Sequence, residues 1–131
     1  MAEQRARPLS PHLGVWRWGP GMAASIFHRI SGGALTVAGL AVLTWWLLAL
    51  ASGANAYDDF SAIAGTWVGL VVLIGLSWAF FQHLLSGIRH LVMDTGENFE
   101  LGPNKRFAVF TFVGAILLTA ALWFYILGVA K

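Results

Sequence analysis

The stretch that decides the fold is Ile30–Ala51, ISGGALTVAGLAVLTWWLLALA, 22 residues without a formal charge. At 1.5 Å of rise per residue a helix of that length covers ~33 Å, enough to cross the ~30 Å hydrocarbon core of a bilayer. Two further runs meet the same condition. Phe60–Ile88 is uncharged but carries His83, and Phe107–Ala130 is uncharged throughout. Between the first two runs, Ser52–Asp59 holds Asp58 and Asp59 with no base and reads as a short turn. Between the second and third, Arg89–Arg106 contains Gly96, Asn98, Gly102, Pro103 and Asn104, the signals of a helix end and a loop. The expected architecture is an all-α integral membrane protein, one domain over 1–131. Transmembrane helices are predicted at about 30–51, 60–88 and 107–130, after an N-terminal segment, 1–29.

Composition agrees. Of 131 residues, 58% are hydrophobic and 11% charged, with a mean hydropathy of +0.71. A soluble domain carries ~25% charged residues, so this chain lacks the charge to clothe a water-facing surface. It is also too short to enclose a large pocket alone, which predicts a shared site within a multi-subunit helical bundle. The absence of cysteine excludes disulfides, thiolate metal sites, a thiol nucleophile and C-x-x-C-H haem attachment.

Charge placement sets the expected topology. Arg5, Arg7, Arg17 and Arg29 precede the first run and Arg89, Lys105 and Arg106 follow the second, against Lys131 alone on the other side. Seven against one places the N-terminus on the cytoplasmic side. With no basic repeat and no basic–aromatic alternation, topology explains the net charge of +2 better than a nucleic-acid partner does. The basic segment contains Pro8, Pro11 and Pro20 and leads into a run long enough to span, so a cleaved signal peptide is not expected. Trp16, Trp18, Tyr57, Trp67, Trp123 and Tyr125 fall near the predicted span ends, where amphipathic rings settle at headgroup level.

Ionisable groups at a span mark candidate sites, because a charge at the bilayer centre costs ~2.5–3.5 kcal/mol or more. Two clusters qualify, both toward the cytoplasmic face. In Ser25-Ile26-Phe27-His28-Arg29-Ile30-Ser31-Gly32, a helix would gather Ser25, His28 and Arg29 on one face, a set suited to a carbonyl or carboxylate guest. The plain alternative has Arg29 snorkelling to headgroups and Ser25 bonding backbone. In His83-Leu84-Leu85-Ser86-Gly87-Ile88-Arg89-His90-Leu91-Val92-Met93-Asp94, His83, Gly87 and His90 form one helical stripe, with glycine opening room for a flat ligand or a close helix. His83 lies six residues inside Arg89, ~9 Å along the axis. A neutral imidazole at that depth needs a partner: haem iron suits it, and a helix–helix hydrogen bond is the simpler alternative. Two histidines at i, i+7 on one helix do not ligate one iron from opposite faces. His90, with Arg29 and Arg89, is a candidate for haem propionates, and Asp94 for orienting His90 or capping the helix end.

These motifs carry a resemblance. Ser25–Gly32 is similar to an S-I-x-H-R-x-S/T-G motif, His83–Asp94 to an H-x-x-x-G-x-R-H-x-x-x-D motif, and Arg7-Pro8-Leu9-Ser10-Pro11-His12-Leu13 to the N-terminal segment of one family: the cytochrome b membrane-anchor subunits of succinate dehydrogenase, respiratory complex II, of bacterial and mitochondrial type. The likeness covers nearly the whole chain. It implies His83 as an axial ligand, and so the metal-binding residue, to haem b shared with a histidine of a second anchor subunit. Ser25 and Arg29 would help form a ubiquinone site at the junction with the iron–sulfur subunit. His28 and Arg29 would lie near the haem propionates, with His90 and Arg89 in the same neighbourhood. Trp16 departs from the tyrosine that relatives often carry there. The implied partners are the second anchor, the iron–sulfur subunit, the flavoprotein subunit and the lipid bilayer. The implied location is a bacterial or mitochondrial inner membrane, with the N-terminus on the cytoplasmic or matrix side. Electrons from succinate would pass through flavin and iron–sulfur centres on soluble subunits to the quinone. A fumarate reductase anchor needs the same parts, and a purely structural anchor without haem is the alternative of a different class.

Overall fold

The computed structural model describes residues 18–129. The described chain is wholly helical: α1 (Pro20–Ala34), one π turn (Leu35–Gly39), α2 (Leu40–Ser52), α3 (Ala54–Ala64), α4 (Trp67–Asp94) and α5 (Leu101–Gly128). Three spans, Pro20–Ser52, Trp67–Asp94 and Leu101–Gly128, are long and apolar enough to cross a membrane. Arg5, Arg7, Arg17, the Arg7–Leu13 segment, Trp16 and Lys131 lie outside the described residues.

The helices overrun the uncharged runs, and all three overrun at the same end. Residues 20–29, expected within the N-terminal segment, are the first turns of α1. α4 continues past Ile88 to Asp94, and α5 starts at Leu101, six residues before the expected Phe107. The reason is that a helix satisfies its backbone hydrogen bonds internally on both sides of the headgroup boundary, so a charge ends the lipid-facing run without ending the helix. Pro20 at the first position of α1, after an extended Gly19, supplies a preset φ and lacks only an N–H that would be unpaired there anyway.

At the opposite end the expected turn is a helix. α3 takes up Ala54–Ala64, and the second span begins at Trp67 instead of Phe60. The break is local chemistry: Thr66 adopts an extended backbone and its Oγ1 accepts the Gly69 N–H at 3.1 Å, an N-cap for α4. Gly53, at φ 102° and ψ −177°, makes the turn from α2 into α3 in a region open essentially to glycine. An edge-to-face contact of Trp45 with Phe60, 4.7 Å between centroids, holds α3 against α2.

α1, α4 and α5 pack on one another, whereas α2 packs on α3. The π turn accounts for the divergence, since one extra residue turns the following helix by ~100° and removes α2 from the face that α1 presents. The three-helix seam is built of small and polar residues. Ala24, Ala79, Ala108 and Ala115 are buried alongside Ser31, Gln82, Ser86, Arg89, Thr111 and Thr119, while Leu40, Leu84, Ile88, Phe110 and Leu117 point outward. This inverts the soluble pattern, as expected where lipid is as apolar as leucine and close backbone approach drives association.

Candidate functional site

The two polar motifs meet where α1 crosses α4. The His28 and His83 rings stack at 4.1 Å between centroids with 8° between planes. His90, two turns along α4 from His83, meets His28 edge-on at 5.2 Å. His83 Nδ1 lies 3.1 Å from the His28 carbonyl oxygen and 3.4 Å from Ser31 Oγ, and that Oγ donates to the same carbonyl at 3.0 Å. A carbonyl only accepts, so Nδ1 carries a proton, and in the neutral ring Nε2 holds the lone pair. Nε2 has no hydrogen-bond partner among the described residues. The lone pair lies in the ring plane, so the stacked His28 covers a face of the imidazole and leaves Nε2 open.

Two glycines shape this crossing. A Cβ on Gly32 would stand 2.9 Å from His83 Cε1 and 3.3 Å from Nδ1, so only glycine lets the ring lie against α1. A Cβ on Gly87 would stand 3.9 Å from His28 Cε1, an ordinary van der Waals contact, so the His28 ring of α1 lies over this position between the two histidines of α4.

Ser25 is half-buried and Arg29 exposed on α1, four residues apart. Arg89 goes elsewhere. Its side chain is 3% exposed, and Nη2 donates to Asn104 Oδ1 at 2.7 Å, beside Gly21 at the start of α1. Asn104 Nδ2 in turn reaches the Asn98 carbonyl at 3.1 Å and Met93 Sδ at 3.5 Å. Arg89 thus ties α4 to the first turn of α5, apart from the histidine cluster, and Asp94 is exposed at the end of α4. Sequence reasoning assigned no role to Ser31, Gly32 or Asn104. Ser31 had a usable signal, three residues after His28 on the same helix face, whereas Asn104 looked like any loop asparagine.

A cavity of about 500 Å³ opens between α2, α3 and α4 among Val42, Leu43, Trp46, Phe60, Leu73 and Phe80. Its one hydroxyl, on Ser77, donates to the Leu73 carbonyl and accepts from Trp123 Nε1, so it offers no free reactive group. Among the described residues no set of three or more His, Asp or Glu side chains forms a complete metal cage.

These features define a multi-pass α-helical membrane protein with its polar chemistry gathered at one end of the bundle. The Succinate dehydrogenase/Fumarate reductase transmembrane subunit profile matches residues 3–122, and the chain belongs to that family. It is 38% identical over 112 residues to the succinate dehydrogenase cytochrome b556 subunit of Paracoccus denitrificans, covering 86% of this chain and 85% of that protein. The Rickettsia felis cytochrome b556 subunit is 38% identical over 89% of this chain and 90% of its own length. The mitochondrial cytochrome b560 subunit of Sus scrofa is 30% identical over 88% and 69%.

Proposed function

We propose that the chain is a haem-bearing membrane anchor of a succinate dehydrogenase, helping form the site where ubiquinone is reduced. The observation that carries this reading is His83, with Nδ1 engaged by the His28 carbonyl and Nε2 left without a partner. Axial histidines are held in this way by a second-shell acceptor on the far ring nitrogen. Gly32 lets the imidazole lie against α1, which helps hold the ring for a ligand at Nε2. His83 would hold haem b together with a histidine of a second anchor subunit. His28, Arg29 and His90 are the candidate partners for the propionates; Arg89 is committed to Asn104. The haem, when bound, supplies a one-electron redox centre.

Ser25 and Arg29 serve the quinone. One turn apart on α1, their side chains share a face, where a hydroxyl donates to a quinone carbonyl oxygen and a guanidinium without an acceptor among the described residues stabilises the negative charge that develops on reduction. Iron–sulfur and flavoprotein subunits would deliver the electrons to the end where the three helices extend past their uncharged runs. That end faces the cytoplasm or mitochondrial matrix on the charge count, in a bacterial or mitochondrial inner membrane. The test is a purified complex carrying His83→Ala or Arg29→Ala. Loss of the haem band from the reduced-minus-oxidised spectrum of the first, and slowed quinone reduction with haem retained in the second, are expected. An unchanged spectrum with haem bound in His83→Ala overturns the ligand assignment, and normal quinone kinetics in an assembled Arg29→Ala complex overturn the quinone role.

A further inference from the structure

We infer that Ser31 and Gly32, with the His28 carbonyl, form a seat on α1 that fixes the tautomer and orientation of His83, making Ser31 a positioning residue that tunes the redox centre. The inference rests on the reading of His83 as a haem ligand and adds to it the machinery on the opposite helix. Three observations carry it. Ser31 is 2% exposed, so its hydroxyl is placed by packing and not by solvent. Its Oγ donates to the His28 carbonyl at 3.0 Å and turns its lone pairs toward His83 Nδ1 at 3.4 Å, so Nδ1–H points into two oxygens fixed relative to each other. Gly32, the next residue, is where the imidazole edge meets the α1 backbone, since a Cβ there would stand 2.9 Å from Cε1.

The physical consequence follows from donor strength. An oxygen acceptor at Nδ1–H makes the imidazole a stronger donor at Nε2 and holds the ring plane at one angle. A flip of the ring about χ2 would exchange Nδ1 with Cδ2 and Nε2 with Cε1, losing both oxygens and turning Nε2 toward Gly32, where Cε1 now packs, so the seat also selects the direction in which Nε2 points. Because the seat belongs to α1 and the ligand to α4, correct packing of the two helices is a condition for presenting the ligand.

The experiment uses the purified holo-complex and reads haem content, midpoint potential and the low-temperature optical and paramagnetic-resonance spectra. Two matched pairs isolate the seat. Ser31→Ala is compared with Ser77→Ala, another hydroxyl removed from a span, and Gly32→Ala with Gly33→Ala, whose added Cβ meets nothing within 4 Å. Ser31→Ala is expected to retain haem with a shifted midpoint potential and altered ligand-field spectrum, which Ser31→Thr restores, while Ser77→Ala keeps wild-type values. Gly32→Ala is expected to lower haem content and Gly33→Ala to leave it intact. A Ser31→Ala complex with the wild-type potential and spectrum overturns the inference. So do equal haem contents in the two glycine variants. If Gly32→Ala does not assemble, the serine pair decides. The haem reading fails separately, by retention of the normal haem spectrum in His83→Ala.

Discussion

Asn104→Ala is predicted to destabilise the protein more than removal of the cation that Asn104 binds. Arg89 is a guanidinium 3% exposed, with Nη2 donating to Asn104 Oδ1 at 2.7 Å and Nε buried without a partner. A hydrogen bond to a charged group contributes about 1.5–3 kcal/mol, and truncating the acceptor leaves the donor's desolvation uncompensated. Asn104→Ala also removes the bond to the Asn98 carbonyl, a neutral contact of about 1 kcal/mol. The sum is about 3 kcal/mol, a shift of ~100-fold in the unfolding equilibrium at 1.4 kcal/mol per decade. Arg89→Met removes the charge together with its desolvation cost and keeps the aliphatic stem, so its cost is expected to stay within about 1 kcal/mol. Equilibrium unfolding of the detergent-solubilised protein, as a double-mutant cycle, measures both values and their coupling. A cost for Asn104→Ala below that of Arg89→Met would refute the assignment of Arg89 as a buried cation that depends on this one acceptor.

Two further predictions concern the seam and the topology. Gln82 is fully buried, its Nε2 reaches Thr111 Oγ1 only at 3.5 Å and its Oε1 has no partner, so Gln82→Leu should change stability by no more than about 1 kcal/mol; a loss above 2 kcal/mol in the same unfolding assay would show that the amide is well bonded. Because the chain has no cysteine, Asp58→Cys and Lys105→Cys are clean reporters: an impermeant maleimide applied to sealed vesicles should label them from opposite sides, and labelling from one side overturns the orientation.

The spans were legible because lipid imposes a single requirement, an uncharged run of sufficient length, and Ile30–Ala51 meets it in the letters alone. Where the helices end was not legible, since headgroup charges and helix termini are independent events; Pro20–Arg29 and Arg89–Asp94 are helical beyond the apolar runs. α3 was hidden for the converse reason. Phe60–Ala64 is apolar enough to read as span, and only the Gly65–Thr66 pair with its cap marks the corner. Helical spacing picked out the histidines that meet, His28 on one helix and His83 and His90 on another, but it also grouped Arg29 with His28, and Arg29 is turned outward. What spacing within a helix leaves out is the partner across the gap, and so Ser31 and Gly32 acquired their roles only when α1 was laid against α4.

The two arginines show what that missing direction costs and what it supplies. Arg29 and Arg89 each adjoin a histidine, lie at the edge of an uncharged run and belong to one of the two polar motifs, so composition and spacing treat them alike. On a helix, adjacent residues point ~100° apart. Beside His28, which faces α4, Arg29 is turned outward and stays exposed. Beside His90, which faces α1, Arg89 is turned into the seam and is taken up by Asn104. One cation is held internally and fastens α4 to the first turn of α5; the other is exposed and has no acceptor among the described residues. The same difference separates their expected phenotypes. Arg89 substitutions should register in stability, and Arg29 substitutions in what the exposed end of the bundle binds.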